Sequence, residues 1–117
     1  MYENLLNNLN IIEKNEALEM LGGEEDLLIE LLNSFLNDKK FDLENLKKLE
    51  KTNPQEAAGY VHYFKGAARQ LCMKRLALTG QTLEDILRCK ADGDINELNA
   101  LFFLEYNKAF DEVKKLF

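Results

Sequence analysis

Apolar residues recur along most of the chain at spacings of three and four positions, which place them on one face of a helix. The clearest stripe follows three acidic residues and consists of Leu27, Leu28, Leu31, Leu32, Phe35 and Leu36. Comparable stripes cover roughly residues 41–49, 54–72, 74–90 and 94–116. The pattern therefore predicts about five helices, preceded by a less regular N-terminal helical region in residues 1–15 that continues to Leu21.

Residues typical of helix ends stand between these stripes. The pair Gly22-Gly23 is predicted to end the N-terminal helical region, because glycine readily adopts the left-handed conformation of a helix C-terminus. Asn53, Pro54 and Glu56 combine an N-cap, a proline at the first helical position and an acid in the first turn, which together predict a helix start. Further N-caps are predicted at Asn37 or Asp38 and at Asp94.

The predicted fold class is all-α. Loops this short make consecutive helices antiparallel, and the natural packing of such helices is an up-down four-helix bundle. The additional N-terminal helical segment would pack beside it. With 117 residues, one proline and six glycines, the chain is expected to form a single domain, residues 1–117, with a modest core.

Composition narrows the classes of function. The net charge of −6 argues against general nucleic-acid binding, which depends on Lys and Arg neutralising phosphates. Residues 1–10 do not resemble a signal sequence, and no apolar run approaches the roughly 20 residues of a membrane span. Cys72 and Cys89 are not in a C-x-x-C arrangement and are expected to be free thiols. We expect a cytoplasmic monomer without a metal site, because one histidine and two separated cysteines are poor zinc ligands.

The single histidine, His62, is predicted to face solvent on the helix that begins at Pro54. At about 100° per residue, the predicted core side carries Ala57, Tyr60, Val61, Phe64, Ala68 and Leu71. His62 points away from it, and the residues predicted to share its face are Ala58, Gly59, Gly66 and Arg69, with Lys65 at the edge.

The presence of two glycines in this helix requires an explanation, because each lowers helix stability by roughly 0.5–1 kcal/mol relative to alanine. Gly59 and Gly66 lie about one turn on either side of His62 and would leave space for a bulky group to approach it. Lys65, three positions after His62, could reach the space over the imidazole. There it would stabilise a phosphoryl group attached to the ring. A neutral imidazole is itself a competent nucleophile near pH 7.

The stretch Val61–Ala68, VHYFKGAA, resembles the H-x-x-K-G signature of histidine-containing phosphotransfer (HPt) domains. Residues 21–25 with the stripe at 31–36 resemble the family's segment before the histidine. Leu76 and the pair Leu83-Glu84 resemble the segment after it. The resemblance covers roughly Glu16 to Phe117. It departs from the family at Ala67, Ala68 and Cys72, where small polar residues or a second glycine are common, and at Arg69 and Gln70.

The resemblance implies a phosphorelay intermediate of two-component signalling. His62 would accept a phosphoryl group from an aspartate of a receiver domain and pass it to another. Lys65 would steady the phosphate, Gly66 would leave room for the receiver, and Glu84 would hydrogen-bond and orient the histidine. Gly59 and Arg69 would also lie at the phosphate and partner surface. Partners would be response-regulator receiver domains or a hybrid histidine kinase. Magnesium and the acidic pocket would belong to the receiver, so this chain would need no cofactor.

Other interpretations remain open at this level. The same bundle could be a phosphorylation-silent adaptor that binds a receiver or kinase domain without relaying phosphate. It could be the phosphoacceptor domain cut from a longer kinase, although no kinase core is present in the chain. A self-contained enzyme is a poor fit, because one histidine lacks a second general acid or base. His62, Lys65 and Glu84 could also be ordinary surface residues.

Overall fold

The computed structural model describes residues 2–117, with side chains from Leu5 onward, so Met1 of the predicted N-terminal region lies outside it. The described part contains seven helices and no strand, which confirms the all-α class. The helices are α1 (Tyr2–Asn7), α2 (Lys14–Met20), α3 (Glu25–Asn37), α4 (Leu43–Thr52), α5 (Pro54–Gln70), α6 (Lys74–Leu87) and α7 (Ile95–Lys114).

The N-terminal helical region forms two short helices, α1 and α2, separated by residues 8–13. The predicted stop at Gly22-Gly23 is confirmed. Both glycines have positive φ angles, 70° and 80°, and Gly23 N–H donates to the carbonyl of Leu18 at 2.9 Å. At the other end of α2, the N–H of Glu13 donates to the carbonyl of Cys72 at 3.0 Å. The start of α2 is thereby fixed to the end of α5.

The caps of α5 and α7 are confirmed, whereas that of α4 is corrected. Asn53 Oδ1 accepts from the N–H of Glu56, and the Asp94 side chain caps α7 in the same way. Asp42 caps α4 by accepting from the first-turn N–H groups. Asn37 and Asp38, the predicted caps, instead end α3. Because α4 begins only at Leu43, Phe41 lies in the loop that connects α3 to α4.

Phe41 is nevertheless buried and forms the centre of an aromatic cluster. Its ring centroid lies 5.0 Å from that of Phe102 and 5.5 Å from that of Phe64, both in edge-on geometry. Tyr60 stacks on it at 5.6 Å, and Tyr106 lies at 5.7 Å. These rings join α5 to α7 through the loop before α4. Contacts of α5 with α4 and α6, and of α7 with α6 and α3, complete the packing.

Several leucines within the apolar stripes of the sequence lie at the surface. On α7, Leu104 is 48% exposed, and Leu116, beyond the helix end, is 42% exposed. Leu27 at the start of α3 is 39% exposed. Their sequence spacing fits the apolar stripes, although their side chains stay partly exposed. Among the described helices, none has both the length and the apolar character that a membrane crossing requires.

Candidate phosphoacceptor site on helices α5 and α6

His62 lies in the middle of α5, and its side chain is 60% exposed. Gly59 is also exposed, and Gly66 is partly exposed. A Cβ atom added at either glycine would meet no heavy atom of its surroundings within 4 Å. The two glycines therefore leave open space one turn before and one turn after the imidazole. Ala58, which the helical wheel placed on the same face, is fully buried, so that assignment was wrong.

The carboxylate of Glu84 on α6 contacts the imidazole. His62 Nδ1 lies 3.1 Å from Glu84 Oε1 and 3.2 Å from Oε2. The Glu84 side chain is only 8% exposed, so a buried carboxylate meets an exposed ring. The contact predicted between these two residues is thus present in the structure.

Two cations also bind Glu84. Lys65 Nζ lies 2.7 Å from Oε1, and Arg88 Nε lies 2.9 Å from Oε2. Burial raises the pKa of Glu84, but the hydrogen bonds from Lys65, Arg88 and His62 lower it by more. Together they hold the pKa of this carboxyl at about 2, against an ordinary value of 4.5. Glu84 is therefore ionised throughout the physiological pH range.

The ionisation of Glu84 determines which imidazole nitrogen carries the proton. A carboxylate without a proton can only accept hydrogen bonds. Nδ1 of His62 must therefore be the donor in this pair. In the neutral imidazole the lone pair then lies on Nε2. The arrangement produces a nucleophilic nitrogen on an exposed, uncrowded ring.

Lys65 lies deeper than the sequence predicted. Its side chain is buried, and besides Glu84 it donates to Gln81 Oε1 at 3.0 Å. Gly80 on α6 makes room for its stem: a Cβ atom there would lie 3.1 Å from Lys65 Cβ and 3.0 Å from Phe102 Cε1. The helical wheel placed Lys65 at the solvent edge because a wheel of α5 alone does not show where α6 packs.

Arg69 is exposed and connects to the same group of residues through Gln81. Arg69 Nη2 donates to Gln81 Oε1 at 3.0 Å, and Gln81 Nε2 donates to Asp85 Oδ1 at 2.8 Å. One amide oxygen thus accepts from both Lys65 and Arg69. The shared contact with Gln81 holds these two cations of α5 close to α6, on the side of α5 that carries His62.

Arg88, Gln81 and Gly80 were missed by sequence reasoning. Gln81 and Arg88 lie three positions before and four positions after Glu84, so they share one face of α6. That spacing could have identified both once Glu84 was nominated. No comparable signal exists for Gly80, because its role depends on the distance between two packed helices.

The cysteines lie outside this site. Cys72 is buried just beyond the end of α5, and its Sγ donates to Met20 Sδ at 3.3 Å. Cys89 is exposed beyond the end of α6. Both thiols are free, as predicted. Among the described side chains, no group of three or more His, Cys, Asp or Glu residues could hold a metal ion.

Comparisons of the chain with models of protein families, with curated proteins and with solved structures found no match.

Proposed function

We propose that the chain is a phosphorelay intermediate of two-component signalling in the cytoplasm, with His62 as its phosphoacceptor. The observation that carries the proposal is the contact between His62 Nδ1 and the ionised carboxylate of Glu84. It leaves Nε2 as the nucleophile on an exposed helix face. The partners would be receiver domains, free or within a hybrid histidine kinase. This chain would act as a phosphate carrier and not as an enzyme.

The transfer step follows from this geometry. The Nε2 lone pair attacks the phosphorus of an aspartyl phosphate on the receiver, and a nitrogen–phosphorus bond forms. The phosphorus–oxygen bond to the aspartate breaks, and its electron pair stays on the released carboxylate. The imidazole becomes positively charged as the new bond forms. The Glu84 carboxylate, in contact with Nδ1–H, stabilises that charge. Transfer to the next receiver reverses these steps.

Two cations of α5, Lys65 and Arg69, would lie beside the phosphoryl group that His62 carries. An ammonium has three N–H donors, and contacts of Lys65 with Glu84 and Gln81 use two of them. The third can serve a phosphoryl oxygen. Arg69 is exposed on the same face, and its guanidinium adds charge that favours a phosphoryl group. Gly59 and Gly66 leave the space that the receiver surface needs around the ring.

The proposed architecture is an antiparallel four-helix bundle made by α3, α5, α6 and α7. The packing of α5 on α6, of α6 on α7 and of α7 on α3 supports it. The short helices α1, α2 and α4 would be additions to this bundle. In such an arrangement a nucleophile on α5 and its orienting carboxylate on α6 occupy facing positions of two neighbouring helices.

A labelling experiment tests the proposal. Phosphoramidate can phosphorylate an imidazole directly, with ammonia as the leaving group, so it requires no protein partner. The chain contains one histidine, so any phosphohistidine must lie at position 62. We expect labelling by phosphoramidate and by a phosphorylated receiver domain. His62→Gln should abolish both while leaving the helical circular dichroism unchanged.

Labelling that survives His62→Gln would refute the proposal, as would a wild-type chain that no phosphoryl donor labels. A receiver domain that binds tightly to the chain but never transfers phosphate would instead favour the adaptor function. Arg75→Gln provides a matched control, because Arg75 binds a buried glutamate, Glu105 at 2.8 Å, remote from the histidine. We expect it to lower stability without preventing labelling of the folded molecules.

A further inference from the structure

The surface beside His62 presents an exposed aromatic side chain. Tyr63 is 48% exposed, and it is the large apolar side chain that α5 leaves at the surface. It follows His62 directly in sequence. A half-exposed tyrosine next to a nucleophile is a typical anchor of a protein interface, since tyrosine combines a large contact area with few rotatable bonds.

The tyrosine ring is held in place before any partner arrives. Lys39 Nζ lies 4.7 Å from the centroid of the Tyr63 ring and 5.2 Å from that of Tyr60. The edge of Phe64 packs against Tyr63, with 5.1 Å between the ring centroids. Tyr60 is itself fixed, because its hydroxyl accepts from the N–H of Asp42 at 2.9 Å. A ring ordered in advance loses little conformational entropy on binding.

Tyr63 also forms one wall of an open groove between α3 and α5, with a volume of about 320 Å³. The residues that line it at the surface include Leu31, Ser34 and Asp38 on one side and Tyr63, Gly66 and Gln70 on the other. Gly66, one turn after His62, belongs both to this groove and to the open space around the imidazole. The groove and the surface around His62 are therefore continuous, and a partner that covers His62 would also contact the groove.

We propose that Tyr63 and Lys39 determine which receiver domain can reach His62. This inference rests on the proposed phosphorelay function and names the docking residues of the same site. The occupant of the groove would be a receiver surface with an aliphatic side chain that packs against Tyr63 and Leu31. An acidic residue beside it would face the Nζ of Lys39, which lies over the rings of Tyr60 and Tyr63.

The groove thus separates docking from chemistry. Tyr63 and Lys39 do not contact Glu84, whose described partners are His62, Lys65 and Arg88. A change at Tyr63 should leave the tautomer and nucleophilicity of His62 intact. It should alter only reactions in which a protein surface must cover this face. Phosphoramidate is too small to need the groove, so it reports the chemistry alone.

The experiment compares two phosphoryl donors on the same variants. The first is phosphoramidate; the second is the receiver domain, from a panel of the source organism, that transfers phosphate fastest to the wild-type chain. We expect Tyr63→Ala to raise the receiver concentration needed for half-maximal transfer by about tenfold, the size typical of a central interface residue. Labelling by phosphoramidate should stay within about twofold of wild type. Tyr63→Phe, which keeps the ring, should transfer nearly as wild type.

Two further variants sharpen the test. Lys39→Glu should weaken transfer from the receiver and leave labelling by phosphoramidate unchanged. Leu104→Ala is the matched control, because Leu104 is also 48% exposed but lies on α7 beside Leu6 and Arg75, in a different groove. It should leave both reactions unchanged.

If Tyr63→Ala needed the same receiver concentration for half-maximal transfer as the wild-type chain, the inference would be overturned. An equal loss of labelling by phosphoramidate and by the receiver domain would also overturn it, because Tyr63 would then stabilise the fold or position the imidazole. A wild-type chain labelled by phosphoramidate but by no receiver domain would also overturn it. A wild-type chain that neither phosphoramidate nor any receiver domain labels would instead refute the proposed function itself.

Discussion

Replacing Glu84 with glutamine tests the centre of the site, because it removes the charge while nearly preserving the shape of the side chain. The contacts of Glu84 lower its pKa from an ordinary 4.5 to about 2. At 1.36 kcal/mol for each pKa unit, this corresponds to about 3 kcal/mol of stabilisation of the ionised, folded form. Glu84→Gln should therefore lower the free energy of unfolding at pH 7 by about 3 kcal/mol or more, since it also leaves the buried Lys65 ammonium without its counter-charge.

The pH dependence of this contribution has a defined sign. A carboxyl group with a lower pKa in the folded state than in the unfolded state stabilises the fold above its unfolded pKa. That stabilisation is lost as the pH falls through the folded pKa. For Glu84 the loss should extend from about pH 4.5 down to about pH 2. The wild-type chain should therefore lose more stability in this range than Glu84→Gln does.

Urea unfolding followed by far-ultraviolet circular dichroism, repeated at several pH values, measures both effects. Glu16→Gln is a suitable control, because Glu16 pairs with Lys74 at the surface, where both side chains are about half exposed. Solvent screens such an exposed pair, so it contributes little to stability, and the control should follow the wild-type curve closely. If wild type and Glu84→Gln had equal free energies of unfolding at pH 7 and lost stability equally between pH 4.5 and pH 2, a stabilising role of the ionised Glu84 carboxylate would be excluded.

Three further outcomes follow from the same geometry. Nitrogen-15 NMR of neutral His62 should show the proton on Nδ1, and a dominant Nε2–H tautomer would contradict the role assigned to Glu84. Gly80→Ala should destabilise the fold by about 1–3 kcal/mol in urea unfolding, because its Cβ atom would press on Lys65 and Phe102. Gly59→Ala should instead stabilise it by about 0.5–1 kcal/mol, since the site is open and alanine is the better helix former. A lower free energy of unfolding for Gly59→Ala in the same assay would contradict this.

Much of the candidate site could be predicted because its key residues lie on single helices with regular spacing. The start of α5 is encoded by Asn53 and Pro54, and the helical period from there places His62 at the surface. Its partner Glu84 was nominated only through the family resemblance. Nothing in the period of α5 identifies the residue of α6 that faces the histidine, because that depends on how the two helices pack.

The burial of Lys65 illustrates the same limit. The wheel of α5 placed Ala58 on the face of His62 and Lys65 at its edge, but the environment of both residues depends on what packs there. Gly80 lets α6 approach closely enough to bury the stem of Lys65. The predicted N-cap of α4 was wrong for a different reason. Asp38 and Asp42 are both residues of a type suited to an N-cap. The burial of Phe41 in the aromatic cluster favours the later start.

The pairing of α5 with α6 would reconcile two opposed demands on the proposed phosphoacceptor. A phosphoacceptor must be exposed, because a protein partner has to reach it, yet an exposed imidazole is free to exchange tautomers and to rotate. Here the ring is 60% exposed while the carboxylate that orients it is 8% exposed. Lys65 and Arg88 make the burial of that carboxylate possible, because each supplies a charged hydrogen bond that offsets its desolvation. Their first role is thus to keep Glu84 ionised, and any contact of Lys65 with a phosphoryl group is added to that role.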